Sequence, residues 1–317
     1  MTSNHGHFVW YELLTTDVGP AAAFYHEVLG WSAQDASTPE FQYRVLSGAD
    51  GPACGLMALP PEARRSGATP RWVGYVAVDD VDACATRLKA LGGSIYVPPT
   101  DSNIGRISIV ADPQGATLAL VQGLKQRLRI GLPAGGGNKA GRVGWHELLA
   151  SEGGQAFAFY NALLGWRKAG EDVGLDGYRL FSAGADVLGG IFTKLPRAPF
   201  PFWLYYFNVA DLGVALQRVM RHGGRIAQGP VELPDGIWIA RCIDPQGAMF
   251  ALQGKRAEGQ IEQAGPVEIG WSAEWGGFAS RGRVISKTKI SEDKTSEAKP
   301  PRPESAAPKK SPPRTRR

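Results

Sequence analysis

The phrase WYELLTTDVGPAAAFYHEVLGW at residues 10–31 returns as WHELLASEGGQAFAFYNALLGW at 145–166. The two agree at 12 of 22 positions: Trp, Glu, Leu, Leu, Gly, Ala, Ala, Phe, Tyr, Leu, Gly and Trp. Tyr43-Arg44 then matches Tyr178-Arg179, Leu59-Pro60 matches Leu195-Pro196, and Trp72 matches Trp203. Gly92-Gly93 matches Gly223-Gly224, and DPQGA at 112 matches DPQGA at 244, so the offset stays between 131 and 136. A repeat this long is a duplicated domain rather than a solenoid unit. It divides the 317 residues into units of ordinary domain size.

Each copy has one internal order. FVWYELLT is apolar and aromatic enough for a strand. Pro20 suits the first turn of a helix, with Thr16 or Asp17 as cap and Gly30 as its end. Ala21, Phe24, Tyr25 and Val28 share one helical face. Strands are predicted near 31–36, 42–47 and 53–59. The order then restarts: WVGYVAV is a strand, VDACATRLKALGG a helix, and SIYVPP, GRISIVAD and ATLALVQ are strands. The second copy places helices near 154–164 and 211–222. Each domain is therefore two β-α-β-β-β modules, an α+β fold. The domains span 8–123 and 143–254, joined by a Gly-rich linker at 124–142.

After Gly254 the repeat stops. Residues 255–286 suit a docked extension, and 287–317 carry ten basic residues and six prolines with almost nothing apolar, the composition of a disordered tail. From Lys255 onward there are 14 Lys+Arg against 8 Asp+Glu, whereas the preceding 254 residues hold 21 against 22. The basic charge thus belongs to the tail, and nucleic acid is expected to meet it only loosely, through that tail. Cys54, Cys84 and Cys242 form no C-x-x-C pair, which argues against a disulfide framework or zinc knuckle and for a reducing compartment. No basic, then apolar leader opens the chain and no apolar run reaches about 18 residues. A cytoplasmic monomer or homodimer, with no membrane partner, is expected.

The W-x-E-L opening with its FY…LGW ending, the V-x-D strand exit before the second helix, and the D-P-x-G-A-x-x-A-L strand resemble the vicinal oxygen chelate superfamily. That superfamily covers glyoxalase I, bleomycin resistance proteins and extradiol dioxygenases. The resemblance spans 8–123 and 143–254 and implies a curved, cup-like sheet in each domain with the site inside the cup. Members that use a metal hold it on inward positions of strands one, four, five and eight. Carried over, those positions fall on Trp10 and Trp145, near Val73 and Leu204, and on Ala119 and Ala251, with CGLMALP and GGIFTKLP in strand four. None offers a metal ligand, so no metal and no cofactor are expected.

The cup is instead expected to be aromatic. Glu12 and Glu147 stand two residues after Trp10 and Trp145 and share their face. Each is a candidate general acid or base, and the alternative is a structural pairing, with Arg44 and Arg179 as partners. Tyr43, Trp72, Tyr178, Trp203 and Trp238 are the expected aromatic lining, with His146, which replaces Tyr11, as a further candidate. His5 and His7 form H-x-H in an N-terminal arm, His26 and His222 read as surface residues, and DPQGA reads as a turn without chemistry. The leading expectation is a glyoxalase- or bleomycin-resistance-like protein holding a small organic molecule. The alternatives are a metal-dependent lyase or dioxygenase of the same superfamily and a non-catalytic interaction protein.

Overall fold

The computed structural model describes residues 4–39, 42–65, 67–124, 139–170, 177–195, 198, 200–233 and 235–257. Residues 125–138 of the linker, the extension beyond 257 and the basic tail lie outside the described residues.

The first half runs β1 (Phe8–Thr15), α1 (Val18–Leu29), β2 (Ser32–Asp35), β3 (Tyr43–Gly48), β4 (Gly51–Ala58), a short α2 (Pro61–Arg65), β5 (Arg71–Ala77), α3 (Val81–Ala90), β6 (Ser94–Asp101), β7 (Arg106–Ala111) and β8 (Thr117–Gln122). The second half runs β9 (Val143–Ala150), α4 (Gly153–Leu164), β10 (Arg167–Lys168), β11 (Arg179–Ala183), β12 (Asp186–Thr193), β13 (Phe202–Val209), α5 (Leu212–Arg221), β14 (Arg225–Glu232), β15 (Trp238–Ile243) and β16 (Met249–Gly254). Each half builds one eight-stranded sheet with the same order, β2-β3-β4-β1-β5-β8-β7-β6 and β10-β11-β12-β9-β13-β16-β15-β14. Modules pair within a half, because β1 runs antiparallel to β5 and β9 antiparallel to β13.

Local rules account for the elements. Asp17 caps α1 by accepting from the Gly19 N–H, and Gly30 ends it in the left-handed region at φ 72°; such a cap contributes about 1 kcal/mol. Asp80 and Asp211 cap α3 and α5 in the same way. β1 does not alternate in burial because it is central and covered on both faces. Edge strand β2 reads SAQD and is exposed throughout, which suits a terminated sheet.

One face of each sheet joins a shared core that contains α1, α3, α4, α5 and residues of both halves. The repeated motifs explain why the halves stay together. The LGW tryptophans each donate to the other half: Trp31 Nε1 to the Gly141 carbonyl at 3.0 Å and Trp166 Nε1 to the Gly6 carbonyl at 2.7 Å. The FY tyrosines reach the DPQGA turns: Tyr25 Oη donates to Asp244 at 3.2 Å and Tyr160 Oη to Asp112 at 3.1 Å. Each aspartate's other oxygen accepts two backbone N–H bonds of its own turn. The turn is therefore also the seat of an interdomain bond, which the sequence reading did not assign to it.

Three expectations are corrected here. Trp72 and Trp203 bury their rings in the shared core rather than the cup, donating to Tyr25 Oη and Tyr160 Oη at 3.0 and 3.2 Å. Trp238 also packs against that core, with Arg256 over its ring. His5 and His7 are not a loose arm: they meet Asp79 and Asp186 at 3.3 and 3.1 Å, and Gly6 bonds backbone to backbone with Ala77.

His146 lies in the same seam, stacked on Phe8 with ring centroids 4.0 Å apart. Its Nδ1 is 2.6 Å from the Leu188 carbonyl, an obligate acceptor, so Nδ1 carries the hydrogen. Nε2 then accepts from Tyr11 Oη at 2.6 Å. Burial pushes the imidazole pKa down to about 4. A depressed folded pKa contributes stability above the unfolded value that is lost as pH falls through the folded one. Relative to His146→Gln, the native protein is expected to lose about 2–3 kcal/mol between pH 7.5 and 4.5. Urea midpoints at the two pH values check this, and equal pH dependence in both proteins would refute it.

Candidate functional site

The second face of each sheet forms the cup. In the first half, Trp10, Glu12, Val73, Tyr75 and Ala119 share it, with Ile107 and Ile109 on β7. In the second, Trp145, Glu147, Leu204, Tyr206 and Ala251 take the equivalent places, with Ile239 and Arg241 on β15.

Glycine sets the geometry of both floors. A Cβ at Gly55 would fall on Tyr43 Oη, and a Cβ at Gly190 would fall on the Tyr178 ring. Glycine on β4 and β12 thus lets each tyrosine lie across the neighbouring strand toward the carboxylate of β1 or β9. Tyr43 Oη donates to Glu12 Oε1 at 2.6 Å, and Trp10 Nε1 lies 3.4 Å from Tyr43 Oη. In the second cup Trp145 Nε1 donates to Tyr178 Oη at 3.0 Å.

The carboxylates then part company. Glu12 has both oxygens bonded to phenols, Oε1 to Tyr43 and Oε2 to Tyr75. Burial raises its pKa, opposed by the tyrosine and tryptophan hydrogen bonds. Trp10 above it has no exposed surface. Glu147 faces Arg241, where the first cup has Ile109. Arg241 Nη2 donates to Glu147 Oε2 at 2.6 Å, and Tyr206 Oη donates to the same oxygen at 2.7 Å. Arg241 Nε reaches Tyr206 Oη at 3.2 Å and Nη1 reaches Gln228 Oε1 at 2.9 Å. Side-chain exposure is 5% for Arg241 and 0% for Glu147, so this is a buried ion pair. Glu147 Oε1 is buried and takes no hydrogen bond among the described residues. Trp145 is only partly buried, whereas Trp10 is fully buried.

The structure thus brings together Trp10, Tyr43 and Glu12 in one cup and Trp145, Tyr178 and Glu147 in the other. It places Trp72, Trp203, Trp238 and His146 elsewhere. Arg44 and Arg179 are not the partners of the glutamates, and Arg179 instead donates to the Gly177 carbonyl. Tyr75, Tyr206, Gln228 and Arg241 were missed. Tyr75 and Tyr206 were legible as another pair at offset 131, and Arg241 against Ile109 as a break in the repeat.

The donor set does not fit the divalent cation that this fold family implies. Among the described residues neither cup supplies a second carboxylate or an imidazole, and Glu147 of the second cup already holds a guanidinium. No group of three or more His, Cys, Asp or Glu side chains able to hold a metal occurs among the described residues. The three described cysteines are free and buried, and no described helix is long and apolar enough to cross a membrane.

The family model of the Glyoxalase/Bleomycin resistance protein/Dioxygenase superfamily matches residues 6–120 and 142–252. The chain is 32% identical over 250 residues to "Putative glyoxylase CFP32" of Mycobacterium tuberculosis, covering 77% of this chain and 92% of the relative. It is 30% identical over 265 residues to anthracycline biosynthesis protein DauV of Streptomyces sp. strain C5, covering 77% and 91%. Among solved structures, a Mn(II)-bound glyoxalase from Novosphingobium aromaticivorans superposes with a TM-score of 0.56 at 15% identity, covering 82% of this chain and 86% of its own. A single-residue variant of homoprotocatechuate 2,3-dioxygenase from B. fuscum gives 0.55 at 16%, covering 82% and 76%. At such identities the superpositions speak for the fold.

Proposed function

This chain belongs to the glyoxalase/bleomycin resistance protein/dioxygenase superfamily, and from that premise we propose that its second cup holds a small organic molecule without a metal. The observation that carries the reading is the orphaned oxygen of Glu147. A buried acceptor without a partner costs about 1–3 kcal/mol, and a ligand that donates a hydrogen bond there offsets that cost. Such a ligand would lie against the partly buried indole of Trp145 and beside Tyr178, an apolar, aromatic setting with one polar group to orient it. The relative named for anthracycline biosynthesis supports an organic ligand.

Within this reading Glu147 is the hydrogen-bond acceptor and the candidate general base, its charge held by Arg241 and Tyr206. Glu12 has no oxygen to spare and serves the fold of the first cup.

The test is a titration with 2-naphthol, a flat phenol, followed by tryptophan fluorescence in excess EDTA. Saturable binding is expected, weakened roughly tenfold by Glu147→Gln and lost on Trp145→Ala. Binding that appears only after a divalent metal is added, or that ignores both substitutions, would overturn the proposal.

A further inference from the structure

A cavity of about 540 Å³ opens between the two halves, at the ends of their central strands. Its lining is pseudo-symmetric: Arg71 and Trp72 at the start of β5 face Phe202 and Trp203 at the start of β13, and Thr117 of β8 faces Met249 of β16. The volume lies within the range of about 300–1,000 Å³ usual for small-molecule sites. Tyr96 and Phe200 also line it and are 59% and 55% exposed, unusual for rings of that size.

The charge of the lining is one-sided. Arg71, Arg225 and Arg241 line the cavity, and among the described residues no Asp or Glu does. Arg241 is neutralised by Glu147. Arg71 is partly buried, and its described hydrogen bond goes to a neutral acceptor, the Thr69 carbonyl at 3.2 Å. Arg225 is exposed and makes no ion pair among the described residues. Two guanidiniums without carboxylates beside aromatic walls favour an anion carried on a flat ring: the fork binds the carboxylate and the rings take the apolar body.

We propose that this interdomain cleft is a second ligand site, for a planar aromatic carboxylate, with Arg71 and Arg225 as its anion-binding residues. The cleft adjoins the second cup through Arg241 and Gln228, yet it uses different groups. It depends neither on Glu147 nor on the reading of the cup.

The test compares 2-naphthoate with 2-naphthol by isothermal titration. Native protein is expected to bind the carboxylate saturably, with affinity that falls as salt rises. The double variant Arg71→Gln/Arg225→Gln should weaken it roughly tenfold or more while 2-naphthol affinity stays within about twofold. Thr117→Trp, which fills the cleft from a partly exposed strand position, should block the carboxylate and spare the phenol. Unfolding temperatures near the native value confirm that the variants fold. Absence of saturable 2-naphthoate binding, affinity unchanged in the arginine double variant, or competition between the two probes for one site would overturn the proposal. Failure of 2-naphthol alone would count against the cup and leave the cleft standing.

Discussion

Replacing Arg241 with methionine is expected to lower the unfolding free energy by about 3–5 kcal/mol, because it strands Glu147 as an uncompensated buried charge. The pair is buried, at 5% and 0% exposure, and Tyr206 and Gln228 hold the guanidinium at its remaining nitrogens. Removing both charges is a different experiment. The first cup carries isoleucine where the second carries arginine and keeps a lone glutamate bonded only to neutral groups. Arg241→Met with Glu147→Gln should therefore recover most of the loss. Urea unfolding of the two single variants and the double gives the coupling energy directly. A fully additive double variant would show that the pair contributes nothing as a pair.

Trp166→Ala carries an expected cost of similar size, about 3–5 kcal/mol for a large aromatic removed from a packed core. Trp166 is fully buried, stacks on Phe181 at 4.3 Å and on Tyr160 at 5.1 Å, and meets Trp203 edge-on at 5.8 Å. Its indole N–H also closes the bond to Gly6 of the other half. The loss should therefore loosen the contact between halves as well as lower stability. Amide exchange is expected to rise at residues 4–8 and in β1 as well as around α4. Exchange confined to the second half would show that the halves do not depend on each other through this residue.

The architecture was readable because duplication wrote each element twice. Asp17 and Gly30 gave the bounds of α1 without knowledge of a site. Whether modules pair within or between halves was not readable, because the repeat is the same either way; β1 meeting β5 places the pairing within a half. The cup was readable only in part, because central strands here are buried on both faces and alternation alone does not say which face is the cup. Trp72 and Trp203 looked like cup residues because they are aromatic and repeated. They are repeated because the seam between the halves is itself pseudo-symmetric, each bonding to the tyrosine of its own FY motif. His146 stands where the first half has Tyr11, and the two meet in that seam rather than in a cup. The bulge between Phe8 and Trp10 shifts the register further, so positions counted from the start of β1 lose their face. Arg241 sits more than 90 residues from Glu147 in the chain, and no local pattern joins them.

Repetition also hides the places where the copies differ. A group kept in both copies reads as structural, and Glu12 with Tyr43 and Tyr75 fits that reading. The proposed site lies where the copies differ: an arginine for an isoleucine, a partly exposed tryptophan for a buried one, and a carboxylate oxygen left without a donor among the described residues.

A second cup that takes an organic ligand through Glu147 and Trp145, with no divalent cation, is the central claim. A native mass spectrum of untagged protein, purified without chelators, tests this most directly. The predicted result is the mass of the polypeptide, alone or with an organic adduct that Trp145→Ala removes. A stoichiometric transition-metal increment that persists in the native protein and disappears on Glu147→Gln would contradict it.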